Sequence, residues 1–118
     1  MIRVADKHAF YTQVLAERSA AWLIDKGVCF VSCREHRNWG MALHVESQAL
    51  SPEQLKQALV RRFREVDRYD QYFLFFDTRQ DFVIWHALPE PPREGLSLDP
   101  IRAAQLTLAG LEHLLEND

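Results

Sequence analysis

Apolar and polar positions along this chain follow two periods, and the densest pattern lies late, between Tyr69 and Ala87. There Tyr72-Phe73-Leu74-Phe75-Phe76 and Phe82-Val83-Ile84-Trp85 flank a polar break at Thr78-Arg79-Gln80. Aromatic and β-branched runs around a short polar break predict a β-hairpin, here without the Gly that favours the tightest turns. Alternation sets Tyr72, Leu74 and Phe76 on one face, and Phe73 and Phe75 on the other. Neither face is polar, so both need a cover: helices, a second sheet or another chain. The Tyr72–Phe76 and Phe82–Trp85 segments are expected to be central and largely buried.

Upstream, Asp6 is a candidate N-cap for a helix from about Asp6 to Arg18, with Phe10, Val14 and Leu15 as its apolar stripe and Tyr11 widening it. Ala21-Trp22-Leu23-Ile24 is closed by Asp25-Lys26-Gly27, where Gly27 can supply the positive φ of a tight turn. Val28 to Cys33 reads as a strand, Arg34 to Asn38 as a polar loop, and Trp39 to Glu46 as a further strand with Met41, Leu43 and Val45 on one face. Ala20 to Ile24 fits either the first strand of this meander or a continuation of the first helix. Ser51-Pro52-Glu53-Gln54 is a capping-box pattern with Pro at the first helical position. The helix it opens carries Leu55, Ala58, Leu59, Phe63 and Val66 as a stripe for the core, with Lys56, Arg61, Arg64 and Arg68 opposite. Arg62 falls inside the apolar arc, where it either snorkels to water or anchors an interface.

Leu88 to Gly95 is a Pro-rich connector, expected to be extended and semi-rigid. Asp99-Pro100 opens the last helix by N-cap and N1 logic. Ile101, Ala104, Leu108, Leu111 and Leu115 form its core seam, and Ala103, Leu106, Gly110 and Leu114 form a second apolar strip. That strip is ordinary core if the helix is sandwiched. In so small a chain one domain can hardly bury both sides of its last helix, so the strip is expected to meet another protein, a second copy or a chaperone-like partner. Gly110 costs roughly 1 kcal/mol in a helix interior relative to Ala, which close packing against a partner would explain. The element order is therefore α-β-β-β-α-β-β-α: one α+β domain over residues 1–118, with a twisted antiparallel sheet of about five strands and helices packed on it.

Composition narrows the function more than it specifies it. The chain has 118 residues, 47% of them apolar, and a formal net charge of −3. That is one domain with a real core and no bias towards nucleic acid or an anionic membrane. The basic side of the second helix is diluted by Glu53, Glu65 and Asp67 and lacks interleaved aromatics for base stacking. No apolar run approaches the roughly 20 residues that span a bilayer. Met1 to Lys7 has no signal-peptide core, so a cytosolic protein is expected.

Candidate chemistry is sparse. Cys29, Cys33, His36 and His44 invite a zinc reading, but their spacing is not a strong signature. Two residues four apart on one strand lie roughly 13 Å apart along it. That separates the thiols too far for one ion with Zn–S bonds of ~2.3 Å, or for a disulfide whose Cα atoms must come within about 7 Å. Free thiols in a reducing compartment are expected. A Cys–His nucleophilic pair with His36, His44 or His86 as base finds no local support: Gly-rich oxyanion or phosphate loops and nucleophile-elbow motifs are missing from the sequence. His86, near a strand end, reads as a hydrogen-bonded structural histidine. The residues thus point to a binding protein with no catalytic residue, metal or cofactor.

The element order resembles that of the class I chaperones of bacterial type III secretion. Trp22 to Val31, an apolar run, an acidic turn with Gly and a second apolar run after the first helix, is similar to their first hairpin. Three phrases carry a narrower likeness: Val28-Cys29-Phe30-Val31-Ser32-Cys33-Arg34-Glu35, Asp70 to Asp77, and Phe82 to Pro89. With the length, they resemble the HrpV family, regulators of the Hrp type III secretion genes of plant-pathogenic bacteria. The resemblance implies a repressor that binds the transcriptional activator HrpS, an AAA+ enhancer-binding protein, and is relieved by a chaperone-like partner, HrpG. It supplies no catalytic motif. The competing class is a secretion chaperone that wraps an unfolded effector segment. Such chaperones are clearly acidic and dimerise, and the weak charge and basic second helix here favour the regulator. The residues expected to meet a partner are Arg62, Ala103, Leu106, Gly110 and Leu114.

Overall fold

The computed structural model describes residues 1–35, 37–88 and 97–117. Its elements are β1 (Ile2–Val4), α1 (Lys7–Leu15), β2 (Ala20–Asp25), β3 (Val28–Glu35), β4 (Asn38–Val45), α2 (Pro52–Arg64), α3 (Val66–Tyr69), β5 (Tyr72–Phe76), β6 (Phe82–Ala87) and α4 (Asp99–Leu108). The strands form one six-stranded sheet in the order β1-β2-β3-β4-β6-β5. The α+β class is as expected. The sheet has one strand more than expected, and β1 pairs parallel to β2 while every other pair is antiparallel. Three residues with Arg3 in the middle carry too little alternation to announce a strand. β1 is held by its neighbour, with α1 as the crossover that a parallel pair needs.

Ala20–Asp25 is strand rather than a prolonged helix: α1 ends at Leu15. Asp6 caps α1 by accepting the Ala9 N–H at 2.8 Å, and Gly27 takes φ +74° in the β2–β3 turn, both as the local sequence demands. Helices α1, α2 and α4 supply buried residues to one face of the sheet. Phe10 of α1 meets Trp22 and Phe30 with ring centroids 5.9 and 6.1 Å apart, and Trp22 stacks on Phe30 at 5.6 Å. From α4 the buried Gln105 donates both amide hydrogens, to the Met41 and Ile84 carbonyls at 3.0 Å each, and so pins the helix across β4 and β6. The opposite face carries a small cluster of Ala42, Val83 and Trp85, edged by Cys33, Phe75 and Ala87; all six belong to strands. Trp85 packs against Gly40, where a Cβ would sit 2.7 and 2.8 Å from its ring carbons and would collide with the His86 carbonyl.

The hairpin is only half as buried as its sequence suggests. β6 is central, with Phe82 to Trp85 buried, whereas β5 is an edge strand on which Phe73 and Phe76 are exposed. The last helix is also shorter than expected. It begins at Asp99 with Leu98 as its N-cap residue and stops at Leu108. The Gly110 N–H bonds the Thr107 carbonyl at 3.0 Å and the Leu111 N–H bonds the Leu106 carbonyl at 2.8 Å, a Schellman closure with Gly110 at φ +75°. A 3-10 segment, Glu112–Asn117, follows. Most of the Pro-rich connector, and His36, lie outside the described residues.

Candidate protein-binding surface

Helix α2 starts as its sequence specifies. The Ser51 hydroxyl accepts the Gln54 N–H at 3.1 Å, and the Gln54 side chain accepts the Ser51 N–H at 2.8 Å. Which side of the helix faces inward is the surprise. Ala58 is its one buried residue; Leu55, Arg61 and Arg62 beside it are half-buried. Arg61 donates to the Thr107 and Leu108 carbonyls at 3.1 and 2.9 Å, satisfying the open end of α4. Arg62 donates from Nε to the Tyr72 carbonyl at 3.2 Å, at the start of the edge strand. Arg62 is therefore neither a snorkelling cation nor a free anchor; its guanidinium ties α2 to β5. Planar, multidentate donors suit such carbonyl contacts better than a point charge would.

With two arginines turned inward, the apolar stripe is turned out. Leu59, Val60, Phe63 and Val66 are 47%, 38%, 82% and 49% exposed, although three of the four were expected to face the core. Leu59 and Phe63 lie one turn apart, and Val66 follows after the break at Glu65, whose φ of −111° and ψ of 49° separate α2 from α3. Exposed Lys56 and Arg64 lie on the same helix. An exposed apolar stripe on a helix that is otherwise firmly tied down is a candidate protein-binding surface.

The second strip of α4 does not form such a surface. Leu106 is fully buried and Leu114 nearly so, both within the core of this chain; Ala103 and Gly110 are half-buried. Leu106 and Leu114 help line a cavity of about 190 Å³ together with Trp22 and Phe30. Because the helix ends at Leu108, Leu111 and Leu114 do not continue its wheel but fold back against the sheet's covered face, where both are buried. Gly110 is explained by its left-handed backbone rather than by a close neighbour, since the space around its Cβ position is open within 4 Å.

A concentrated polar cluster lies between β4 and the β5–β6 turn, and a second joins Tyr11, Asp99, Arg102 and Lys7. His44 Nε2 lies 3.0 Å from Asp77 Oδ2 and 3.4 Å from Asp81 Oδ2, and its Nδ1 is 3.9 Å from the Cys29 sulfur. Asp77 Oδ1 also accepts the Arg79 and Asp81 N–H groups, and Asp81 Oδ1 accepts that of Ser47. The Cys29 sulfur, then the two carboxylates, favour the imidazolium against the opposing effect of burial, and lift His44 to about 9. The histidine hydrogen bond in turn draws Asp77 below the ordinary carboxylate value. His44, Asp77 and Asp81 bring three donor atoms within 4.8 Å of one another, but they already satisfy one another, and a structural zinc takes four ligands. Cys33 is elsewhere on β3, packed beside Trp85, and both cysteines are free thiols. His86 donates from Nδ1 to the Ala87 carbonyl at 2.6 Å and packs on Tyr72, a structural histidine whose burial lowers its pKa. No helix among the described residues is long and apolar enough to cross a membrane.

Compared with known proteins, the chain matches neither a curated protein nor a solved structure. The HrpV-like family, in contrast, matches over residues 1–114, nearly the whole length. The chain belongs to the HrpV-like family, whose members are regulators connected with type III secretion.

Proposed function

We propose that this protein is an anti-activator: it binds and sequesters a transcriptional activator of the AAA+ enhancer-binding class, HrpS-like, and is released by a chaperone-like, HrpG-like partner. It works as a binding protein in the bacterial cytoplasm, not as an enzyme. The observation that carries this reading is the outward stripe Leu59, Val60, Phe63 and Val66, left uncovered while Arg61 and Arg62 occupy the inner side of the same helix. Lys56 and Arg64 on the helix suit a partner whose apolar contact is rimmed by acidic residues. Burying a Phe side chain contributes about 1.5–3 kcal/mol, so Phe63 is the residue expected to matter most.

The test is co-purification of the chain with the AAA+ activator of its own bacterium, and titration of the isolated pair. Phe63→Glu should weaken the complex by about 2 kcal/mol or more, roughly 30-fold in Kd, with unfolding by urea unchanged. An activator that binds the variant and the natural chain equally moves the contact off α2. Stable capture of a secreted effector segment, with no binding to the activator, would instead make the protein a secretion chaperone.

A further inference from the structure

We propose that Cys29 is a modification site, a thiol that His44, oriented by Asp77 and Asp81, prepares for exchange with low-molecular-weight disulfides. Cys29 of β3 sits directly opposite His44 of β4, and its sulfur lies 3.9 Å from Nδ1. The far nitrogen of the same ring lies 3.0 Å from Asp77 and 3.4 Å from Asp81. Thiol, imidazole and carboxylate joined through opposite ring nitrogens is the arrangement in which carboxylates hold an imidazolium in place beside a thiol and the cation favours the thiolate. The carboxylates are themselves fixed by the backbone N–H groups of Ser47, Arg79 and Asp81, which holds the ring in this orientation. Cys29 is half-buried, so its sulfur is sheltered without being sealed.

In the exchange Cys29 gives its proton to water and, as a thiolate beside the His44 imidazolium, attacks one sulfur of a disulfide RSSR. A new S–S bond forms to Cys29 as the old one breaks. The bonding pair leaves on RS⁻, which takes a proton from water as RSH. Cys29 is oxidised, the departing half of the reagent is reduced, and no other oxidant is required. Cys33 cannot resolve the adduct, because it lies four residues along the same strand, roughly 13 Å away, whereas a disulfide needs Cα atoms within about 7 Å. The mixed disulfide therefore lasts until an external thiol removes it. It would project from the sheet face on which Leu23, the register partner of Cys29, is 69% exposed.

Cys33 is the internal comparison. It shares the strand with Cys29 but packs beside Trp85, and burial, followed by the nearby Glu35, pushes its thiol up to about 11. The experiment exposes the reduced full chain to oxidised glutathione at neutral pH and follows each cysteine by peptide mass mapping. Cys29 should form the adduct at least tenfold faster than Cys33, and His44→Gln should slow Cys29 at least tenfold without accelerating Cys33. Acceleration of Cys33 in the variant would mean unfolding; Asp77→Asn, which leaves His44 in place but removes its nearer carboxylate, then decides, and should also slow Cys29. Equal rates at the two cysteines, an unchanged Cys29 rate in a folded His44→Gln variant, or an unchanged Cys29 rate in Asp77→Asn would each overturn the proposal.

Discussion

Replacing His44 by Gln tests whether a charged clamp holds the β5–β6 turn to β4, and pH supplies the second axis of the experiment. The imidazole is raised to about 9 in the folded protein from its ordinary 6.5. A raised value means that the folded state binds the proton more tightly. The clamp therefore contributes its full stabilisation below about pH 6.5, loses it progressively up to about 9, and contributes nothing beyond. At 1.36 kcal/mol per pKa unit the ceiling is about 3 kcal/mol. The side chains of His44 and Asp77 are 27% and 31% exposed, and the sulfur contact is long at 3.9 Å, so about 1–2 kcal/mol is the expected share. Urea unfolding of the natural chain and of His44→Gln at pH 6, 7.5 and 9.5 isolates it, since the other titrating groups are common to both. The difference between the two proteins should be largest at pH 6 and should shrink by about 1–2 kcal/mol towards pH 9.5. Two curves that stay parallel across the range would show that His44 is not a clamped cation.

Two further substitutions probe the packing of the fold itself. Gly40→Ala would drive a methyl group into the His86 carbonyl, which the β4–β6 ladder holds in place, and against Trp85; a loss of about 1–3 kcal/mol in urea unfolding with altered Trp fluorescence is expected. Leu106→Ala should cost about 2–5 kcal/mol as a large-to-small change in the core, and a loss below about 0.5 kcal/mol would return Leu106 to the surface.

What was legible in the sequence is the chemistry that a single element completes by itself. Ser51 and Gln54 cap each other within one turn, Asp6 caps α1, and Gly27 turns the β2–β3 hairpin; each needs only neighbours along the chain. What could not be read depends on partners that the chain supplies from a distance. His44 finds Asp77 and Asp81 only once β4 is paired with β6, and no periodicity in either segment announces the meeting. Gly110, taken alone, looks like a weak point of a long helix; once Leu111 and Leu106 close a Schellman turn it is the end of a short one.

The two apolar stripes that point the other way from expectation share one physical cause. A hydrophobic stripe says that a helix has an apolar side, not which way that side points. On α4 the neighbouring groups favour inward burial of both strips, because Gln105 locks the helix across β4 and β6 and the chain after Gly110 brings Leu111 and Leu114 back onto the core. On α2 the nearest unsatisfied groups are carbonyls: the end of α4 and the start of the edge strand. Arg61 and Arg62 reach them, and turning Leu59 and Phe63 inward would take these donors from the Leu108 and Tyr72 carbonyls, whereas the Thr107 carbonyl keeps the Gly110 N–H. A buried acceptor left unpaired costs about 1–3 kcal/mol, comparable to the gain from burying one Phe, so the polar contacts can set the rotation of the helix. The apolar stripe is then left at the surface not by lack of apolar character but by the hydrogen-bonding needs of its neighbours, and a partner that covers Phe63 recovers that burial without disturbing either arginine.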